Sequence, residues 1–600
     1  MVFKSVCEGF TLPEEKQSMA RLYFDALDRH ASRRLLVDAP SGRTWTGAQI
    51  KQQVIPIATA LIAEHNLTTG DIVGLLYLHS DRAVIFSLAV TIAGGVVCCN
   101  DMSDPYDEYR HSYSCVRPKF IATSGAPAMR LNVARLCADL QLDGTTLMYL
   151  DETNGSINDV TPPSHANRSS NTNGNSNNSN DGTNSHIVRK VTTYDELLQF
   201  KVDHSLHSCL LPASIKHPAT ELAYILFTSG STGLPKPVGR SHKNSAYVSH
   251  TLDHCPQLWH LTPTSVLAGQ LPLDHGTGTF ALKLTMHVGC CLIIQPGYQA
   301  ETFMANIERW RITDVMLGSA LLHNILIDTS LMSRYDVSSL LNIMSIGSKI
   351  QSVPIVRQFI DKYARRSVRQ TYGSTETGFI CYVARDRCRQ DTECAGQLLP
   401  NVEVRLVDGA SGHEVTQHNV VGEMYVRSPT VSPGYFGPAA PKSDDNFMKD
   451  GFYKTGDLAR ITSDHNLLIE GRILERLCLG DGWKVLPQEL EAVVQQHPAI
   501  AECCVIGMPH PTELGNHAPR AYVTLKADCR HVHANDIRRF VDERVSPPKR
   551  LIGGVYIVQE FPRISIGKVD KKKLKLIDVH NHLVGGQDQN TDVKENCLIV

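Results

Sequence analysis

The length, composition and charge of this chain set the first limits on its function. A chain of 600 residues is too long for one hydrophobic core and predicts several domains. Hydrophobic residues make up 42% and charged residues 20%, which excludes disorder of the whole chain. The net charge of −2 gives no broad basic field, so charge alone indicates neither nucleic acid nor an anionic membrane as a partner.

The N-terminal part contains the longest uncharged stretch, from Ala83 to Asn100. Gly94 and Gly95 interrupt it, and a membrane span would need about 20 apolar residues. The stretch therefore predicts a buried helix followed by a buried strand. The first residues, MVFKSVCEGFTLPEEKQ, lack the continuous apolar core of a secretory signal. We expect a cytoplasmic protein with no transmembrane segment, with a peripheral membrane or peroxisomal location as the alternatives.

Short apolar runs alternate with helical segments over residues 1–471, which we interpret as one large N-terminal domain. The runs are DIVGLLYL, KFIATSG, TLMYLD, AYILFTSG, CCLIIQP and LLNIMSIG. In ETFMANIERW, the side chains of Phe303, Ile307 and Trp310 share one helical face, and the strand-like ITDVMLG follows. This alternation predicts a multi-layer α/β structure with largely parallel sheets.

Residues 151–190 interrupt this domain with a tract of Asn, Ser, Gly and Thr. Such a tract cannot bury enough apolar surface to order itself, so we expect a disordered insertion in a surface loop. The 17 cysteines form no C-x-x-C pair. Three adjacent pairs, at 98–99, 290–291 and 503–504, lie in apolar runs and are predicted to be buried.

Residues 472–580 predict a smaller α+β domain. VLPQELEAVVQQH and ANDIRRFVDERV have helical periodicity, whereas AECCVIGMP, AYVTLKA and GVYIVQE are strand-like. A polar, flexible tail of residues 581–600 ends in Cys597-Leu598-Ile599-Val600, which has the C-a-a-X form of a prenylation signal. Terminal Val is not a typical X residue, so an unmodified tail is favoured, and weak membrane association through a prenylated Cys597 is the alternative. The terminal S-K-L of peroxisomal import is absent.

The strongest local motif is AYILFTSGSTGLPKPVGRSH, in which a buried strand leads into a Ser/Thr/Gly-rich loop. Glycine backbone N–H groups approach phosphate oxygens closely, hydroxyls add donors, and a lysine adds a charge. Pro235 and Pro237 flank the lysine, so the loop is not a Walker A motif. The predicted phosphate-binding residues are Thr228, Ser229, Gly230, Ser231, Thr232, Gly233 and Lys236.

The run T-S-G-S-T-G-x-P-K resembles the signature of the adenylate-forming superfamily, which includes acyl-CoA synthetases, 4-coumarate–CoA ligases, beetle luciferases and peptide-synthetase adenylation domains. Four further segments resemble the other motifs of this superfamily in the same order. They are QTYGSTETG (370–378), YKTGDLA (453–459), GRILE (471–475) and PRISIGKVDKKKL (562–574). The resemblance covers roughly residues 20–575, apart from the insertion.

The resemblance implies an acid–thiol ligase that uses ATP, Mg²⁺ and CoA. Such an enzyme converts a fatty or aryl carboxylic acid to acyl-AMP and pyrophosphate, and the CoA thiol then displaces AMP. By the same resemblance, Thr375 binds the α-phosphate and Glu376 coordinates Mg²⁺. Lys568, on a small mobile C-terminal domain, bridges the substrate carboxylate and the α-phosphate.

The resemblance also implies a nucleoside site and an acyl site. Tyr372, with Gly373, lies near the adenine, while Asp457 accepts hydrogen bonds from both ribose hydroxyls and Arg472 supports the same ribose.

The acyl site is marked by two segments. LPLDHGTG resembles the segment that places a histidine beside the substrate carboxylate, which nominates His275, although a structural role for this histidine is the alternative. SIGSK resembles a pocket wall that faces the adenine and nominates Gly347 and Ser348.

Two positions depart from the family pattern. Pro237 follows the loop lysine where glycine is usual, and Leu474 stands at the hinge position that is commonly Asp or Lys. Both changes leave the adenylation residues in place and concern the second half-reaction. Two alternatives to a CoA ligase therefore stay open: an adenylation-only enzyme that delivers the acyl group to a carrier protein or an amine, and a catalytically weak nucleotide-binding protein with a regulatory role.

Overall fold

A computed structural model divides the chain into two compact units, Met1–Ile473 and Leu474–Val600. The residues that it describes are 2–142, 144–151, 191–201, 215–228, 235–255, 261–269, 272–327, 329–347, 350, 353–362, 366–384, 387–388, 394–437, 445–479, 484–511, 516–529, 531–563 and 568–576. Almost all of the predicted insertion (151–190), and the whole tail with Cys597, lie outside the described residues.

The first unit contains an eight-stranded sheet that carries the predicted phosphate-binding loop. Its strands, numbered in chain order and given in spatial order, are β22 (Gly434–Tyr435), β10 (Pro237–Ser241), β9 (Leu222–Phe227), β5 (Val96–Asn100), β4 (Ile72–Leu76), β6 (Phe120–Thr123), β7 (Thr146–Tyr149) and β8 (Val191–Thr193). The strands from β9 to β8 pair in parallel, and β10 pairs antiparallel with β9 and β22. Of the parallel strands, β9, β4, β6 and β7 are formed by predicted apolar runs. β4 and β6 are buried on both faces of the sheet.

A second, seven-stranded sheet of the first unit is parallel except at one edge. Its strands, in spatial order, are β15 (Ser367–Gln370), β14 (Asn342–Ile346), β13 (Asp314–Gly318), β11 (Val266–Gly269), β12 (Cys291–Ile294), β2 (Arg34–Asp38) and β3 (Thr44–Thr46). Only β2 and β3 pair antiparallel. In β14 and β15, Ser345 is opposite Gln370, so the segments that follow these two strands leave the sheet at the same edge.

A third sheet of seven strands is antiparallel, and the sequence analysis did not predict it. Its strands, in spatial order, are β1 (Val2–Lys4), β20 (Glu403–Val407), β21 (Gly422–Arg427), β23 (Tyr453–Ile461), β24 (Asn466–Arg472), β19 (Gly396–Leu398) and β18 (Cys381–Tyr382). β20 and β21 alternate between buried and partly exposed residues, as expected for strands with one face on the core. β23 and β24 place Asp457 directly opposite Arg472.

Helices cover the sheets of the first unit. They are α1 (Met19–Arg29), α2 (Gly47–Ala63), α3 (Asp81–Ile92), α4 (Tyr106–Val116), α5 (Pro127–Leu140), α6 (Tyr194–Leu198), α7 (His242–His254), α8 (Gly276–Val288), α9 (Ala300–Trp310), α10 (Ser319–Ile327), α11 (Thr329–Ser333) and α12 (Val353–Lys362). The buried helix α3 is followed by the buried strand β5, as predicted. Leu27, Ile57 and Leu284 belong to one continuous buried cluster between the layers.

Phe303 and Ile307 of α9 are buried, and Trp310 is partly buried and packs against the same cluster, which confirms the predicted face of that helix. The cysteines of the three adjacent pairs are also buried, as predicted. Among the described residues, no helix is long and apolar enough to cross a membrane.

The second unit is the smaller α+β unit that the sequence predicted. Its elements are β25 (Leu477–Cys478), β26 (Lys484–Val485), α13 (Pro487–Val494), β27 (Ile500–Pro509), β28 (His517–Leu525), α14 (Ala534–Asp542) and β29 (Val555–Ile557). β27 and β28 form a long antiparallel pair, and β29 pairs in parallel with β28. Leu490 and Val494 of α13 pack with Ile537 and Val541 of α14 in one buried cluster.

Candidate active site

The predicted phosphate-binding loop connects the antiparallel strands β9 and β10. The loop residues Ser229, Gly230, Ser231, Thr232 and Gly233 lie outside the described residues, whereas Thr228 and Lys236 at its two ends are described. The backbone N–H of Thr228 donates to the carbonyl oxygen of Lys236 at 3.0 Å, and the N–H of Lys236 donates to the Thr228 hydroxyl at 3.0 Å. The two ends of the loop are therefore held together, and Pro237 continues directly into β10.

The predicted Thr375-Glu376 motif lies in a tight hairpin. The strands β16 (Gly373–Ser374) and β17 (Gly378–Phe379) pair antiparallel on either side of it. Hydrogen bonds of 3.1 Å between Ser374 and Thr377 close this turn. The hairpin fixes the backbone of both motif residues and leaves the Glu376 carboxylate free to interact outside the turn.

A buried arginine, Arg240 of β10, holds this hairpin in place. It is 4% exposed, and its Nη1 donates to the carbonyl oxygens of Thr430 at 2.8 Å, Glu376 at 3.4 Å and Thr375 at 3.5 Å. Burial lowers the pKa of the Arg240 guanidinium to about 10. The backbone N–H of Ser432 also donates to the Glu376 carbonyl at 2.7 Å. The sequence motifs assign no role to Arg240, although it stands only four residues after Lys236.

Tyr435 of β22 connects the loop lysine to the Glu376 carboxylate. Its hydroxyl donates to Glu376 Oε1 at 3.0 Å, and Lys236 Nζ lies 4.7 Å from the centroid of its ring. The Tyr453 hydroxyl lies 3.4 Å from that of Tyr435, and burial together with the Glu376 charge raises the pKa of Tyr453. The sequence motifs assign no role to either tyrosine, although Tyr453 is the first residue of the segment YKTGDLA. These contacts bring together a cation and a carboxylate that are 140 positions apart in the chain.

Tyr372, Asp457 and Arg472 form a second cluster in the first unit. The Tyr372 hydroxyl donates to Asp457 Oδ2, and Arg472 Nε lies 3.2 Å from Asp457 Oδ1. Asp457 is 3% exposed. Burial of the Tyr372 phenol, together with the negative charge of Asp457, raises the pKa of Tyr372 well above its usual value. Arg472 is about half exposed. The Asp457 carboxylate is therefore held by two donors, one on each oxygen.

Gly347 directly follows β14 and has a φ of +83°, a backbone conformation that glycine adopts without strain. The N–H of Thr371 donates to the carbonyl oxygen of Ser345 at 3.1 Å. Gly347 and Tyr372 therefore follow neighbouring parallel strands at one sheet edge, where ligands of open α/β sheets commonly bind. Ser348 lies outside the described residues.

His275 is the residue before the first turn of α8. Its Nδ1 accepts the backbone N–H of Thr277 at 3.1 Å, which places the proton of the neutral imidazole on Nε2. This contact gives His275 a structural role at the start of the helix, and its role beside a substrate carboxylate stays a prediction. The adjacent Asp274 is buried near Asp101 and Asp104, and burial and these carboxylates raise its pKa to about 7. The raised pKa means that the Asp274 carboxyl holds a proton more readily than an exposed carboxyl does, which reduces the negative charge beside the candidate acyl site.

Lys568 belongs to the second unit, in which Arg563 and Val569 form an antiparallel bridge. Arg563 Nη2 donates to the buried Glu502 carboxylate at 2.6 Å. Lys571 Nζ makes a 2.8 Å ion pair with Glu475. These contacts attach the motif segment on both sides of residues 564–567, which lie outside the described residues. The half-buried Lys568 is thus placed on a fixed part of its own unit.

Comparison with known proteins identifies the family of the chain. The model of the AMP-binding enzyme family matches residues 23–436, more than half of the chain, and that of the AMP-binding enzyme C-terminal domain matches residues 489–568. A nicotinic acid–CoA ligase of Penicillium canescens is 27% identical over 578 residues, which covers 95% of this chain and 96% of the relative. A probable CoA ligase of Humulus lupulus is 26% identical over 588 residues, 96% of this chain and 95% of the relative.

Solved structures share the fold. The ATP-bound MatB of Rhodopseudomonas palustris matches with a TM-score of 0.73 at 23% identity, over 93% of this chain and 98% of that protein. The amide bond synthetase McbA of Marinactinospora thermotolerans matches with a TM-score of 0.72 at 21% identity, over 93% of this chain and 99% of that protein. The ordered motifs, the family models and the fold agree, and the chain belongs to the AMP-binding enzymes, the adenylate-forming superfamily.

Proposed function

We propose that this chain is an AMP-forming acid–thiol ligase, which activates a fatty or aryl carboxylic acid with ATP and transfers the acyl group to CoA. The observation that carries this proposal is the contact of Tyr435 with both Lys236 and Glu376. The Tyr435 side chain therefore contacts both the lysine of the loop that would bind the triphosphate and the carboxylate that would bind a metal. A pyrophosphate leaving group needs both a cation and a metal to balance its charge.

In the first step, a carboxylate oxygen of the acid attacks the α-phosphorus of ATP. The bond from the α-phosphorus to the bridging oxygen breaks, and pyrophosphate leaves with the bonding electron pair. The loop from Thr228 to Lys236 would hold the β- and γ-phosphates during this step. Thr375 would donate to the α-phosphate, while Lys568 would bridge the acid and the α-phosphate. His275 would lie beside the substrate carboxylate at the start of α8.

The Glu376 carboxylate fits Mg²⁺, because it supplies hard oxygen atoms and its position is held by a neutral phenol instead of a competing cation. When bound there, Mg²⁺ would neutralise charge on the phosphate oxygens.

Two groups of residues would hold the nucleoside. The Asp457 carboxylate would exchange its present donors, Tyr372 and Arg472, for the two ribose hydroxyls. The adenine would lie between Tyr372, with Gly373, and the segment of Gly347 and Ser348, since Gly347 and Tyr372 leave one sheet edge together.

In the second step, the CoA sulfur attacks the acyl carbon, and AMP leaves as the acyl–phosphate bond breaks. The relatives named as CoA ligases support CoA as the acceptor. A second candidate is transfer to an amine or a carrier protein, and it is favoured by Leu474, whose side chain is 78% exposed at the hinge position. An apolar hinge residue cannot make the polar contacts of the usual Asp or Lys. A third candidate is a catalytically weak nucleotide-binding protein with a regulatory role.

Acid-dependent exchange of labelled pyrophosphate into ATP, measured with a panel of carboxylic acids, tests the first step. We expect at least one fatty or aryl acid to support exchange. ATP binding with no exchange for any acid would refute activation and favour the regulatory candidate.

The same acid, incubated with CoA, then tests the acceptor. CoA-dependent release of AMP and formation of the thioester are expected. Exchange that proceeds without any CoA-dependent AMP release would instead favour an amine or a carrier protein.

A further inference from the structure

Two histidines and an aspartate meet where the helices α7 and α8 end. His287 Nε2 lies 2.8 Å from Asp253 Oδ1, and His250 Nδ1 lies 3.1 Å from Asp253 Oδ2. The donor atoms of all three residues lie within 4.8 Å of one another. His250 and Asp253 are three residues apart on α7, whereas His287 lies in the last turn of α8. The cluster therefore exists only because the two helices are neighbours.

The burial of the three side chains leaves one side of the cluster open to solvent. His250 and His287 are 12% and 9% exposed, whereas Asp253 is 50% exposed. The two imidazole rings are nearly perpendicular, at 80°, with centroids 4.8 Å apart. Both rings thus direct a nitrogen at one carboxylate without stacking on each other. The helices restrict the rings, and solvent can reach the carboxylate.

The position at two helix ends favours a cation. The last carbonyl groups of a helix lack intrahelical partners and give that end a partial negative charge. Here the final turns of both α7 and α8 contribute this charge at the same place as the Asp253 carboxylate. Two neutral imidazoles and one carboxylate form a donor set that suits zinc and related transition metals, because Mg²⁺ and Ca²⁺ prefer oxygen ligands only.

We propose that His250, Asp253 and His287 form a binding site for a zinc-class transition-metal dication, with solvent in the remaining coordination position. Tetrahedral zinc requires donor atoms about 2.0–2.2 Å from the metal, which modest rotations of these side chains would supply. The site is distinct from the candidate acyl site at His275. His287 is twelve residues after His275 on one helix, which corresponds to about 18 Å along the helix axis.

Hydrogen bonding alone would also explain the cluster, since Asp253 can accept from both rings. The two explanations differ in the state of the nitrogens. In the hydrogen-bonded form, His250 Nδ1 and His287 Nε2 carry protons, whereas metal binding requires both nitrogens to be bare and moves each proton to the other ring nitrogen. Metal affinity therefore separates the two explanations without any measurement of enzyme activity.

Titration of the metal-free, full-length protein with Zn²⁺ in excess Mg²⁺, followed by calorimetry, tests the proposal. We expect wild type to show a Zn²⁺-binding event whose dissociation constant rises more than about tenfold in His250→Asn and in His287→Asn. His254→Asn is the matched control, because this neighbouring ring stacks on Phe10 with centroids 3.9 Å apart and lies outside the cluster. It should bind Zn²⁺ like wild type. Equal zinc affinity in all four proteins would overturn the proposal.

A second measurement on wild type covers the case in which a variant fails to fold. Crystals grown with equimolar Zn²⁺ are measured at the zinc absorption edge. An anomalous peak between the three side chains is expected. Zinc bound only at other residues, or not bound at all, would overturn the proposal independently of any variant.

Discussion

Tyr435→Phe tests the link between the loop lysine and the candidate metal ligand. The substitution keeps the ring over which Lys236 lies at 4.7 Å, and it removes only the hydroxyl that donates to Glu376 at 3.0 Å. A change in activity would therefore report on the position of the carboxylate and not on the lysine. The variant should fold, because it loses one polar atom at a half-buried residue.

The size of the effect follows from the contact that is lost. A hydrogen bond to a charged group contributes about 1.5–3 kcal/mol, and each 1.4 kcal/mol corresponds to about tenfold in an equilibrium constant. The Tyr453 hydroxyl lies 3.4 Å from that of Tyr435 and can partly replace it, which favours the lower end of this range. We therefore expect the KM for Mg-ATP to rise about tenfold.

Pyrophosphate exchange at a series of Mg-ATP concentrations measures this change. Tyr425→Phe is the matched control, because the Tyr425 hydroxyl lies 3.5 Å from Glu423 on β21 and the substitution removes a similar tyrosine–carboxylate contact. The control should behave like wild type. A KM for Tyr435→Phe within about twofold of wild type would refute the idea that Tyr435 positions Glu376 for the metal.

Three further predictions concern catalysis, stability and pH. Lys568→Ala should lower the rate of pyrophosphate exchange by roughly 10²–10³ while ATP binding persists. Lys573→Ala is the control and should keep the wild-type rate, because the Lys573 side chain is 66% exposed. An unchanged exchange rate in Lys568→Ala would exclude a catalytic role for Lys568. Arg240→Met should lower the free energy of unfolding in urea by about 1–3 kcal/mol, because buried carbonyl groups lose their donor; an unchanged urea midpoint would contradict this. Burial lowers the pKa of Lys283 to about 7, far below its usual value of 10.5. Between pH 7 and pH 10.5 the unfolded chain therefore binds more protons at this lysine than the folded chain does. The free energy of unfolding consequently rises with pH over this range. Lys283→Met should therefore have a higher free energy of unfolding in urea than wild type at pH 7, and the difference between the two proteins should become smaller toward pH 10. A difference that does not change with pH would refute the lowered pKa of Lys283.

Local periodicity explains which elements could be predicted from the sequence. The apolar face of α9 and the change from α3 to β5 depend on residues close together in the chain, so a short window contains the signal. The third sheet was missed because several of its strands have only two or three residues, as in β18 and β19. Such short strands form because partners distant in sequence supply the hydrogen bonds.

The residues of the candidate site also fall into two groups, those that sequence motifs identify and those that only tertiary contacts identify. Thr375, Glu376, Asp457 and Lys568 stand in motifs that a reader of the sequence can recognise. Arg240 follows the T-S-G-S-T-G-x-P-K run and Tyr435 lies in none of the quoted motifs, and the importance of both comes from contacts with residues more than 50 positions away.

The amino-acid sequence by itself identified the adenylate-forming superfamily and predicted a phosphate-binding loop from Thr228 to Lys236, because each motif is contiguous and the order of the motifs is preserved. Only the tertiary structure decided how Tyr435 connects that loop to Glu376, and that His287 meets His250 and Asp253. The physical reason is that these contacts depend on which helices and strands become neighbours. That choice is made by burial of apolar surface over the whole unit and leaves no local pattern in the chain.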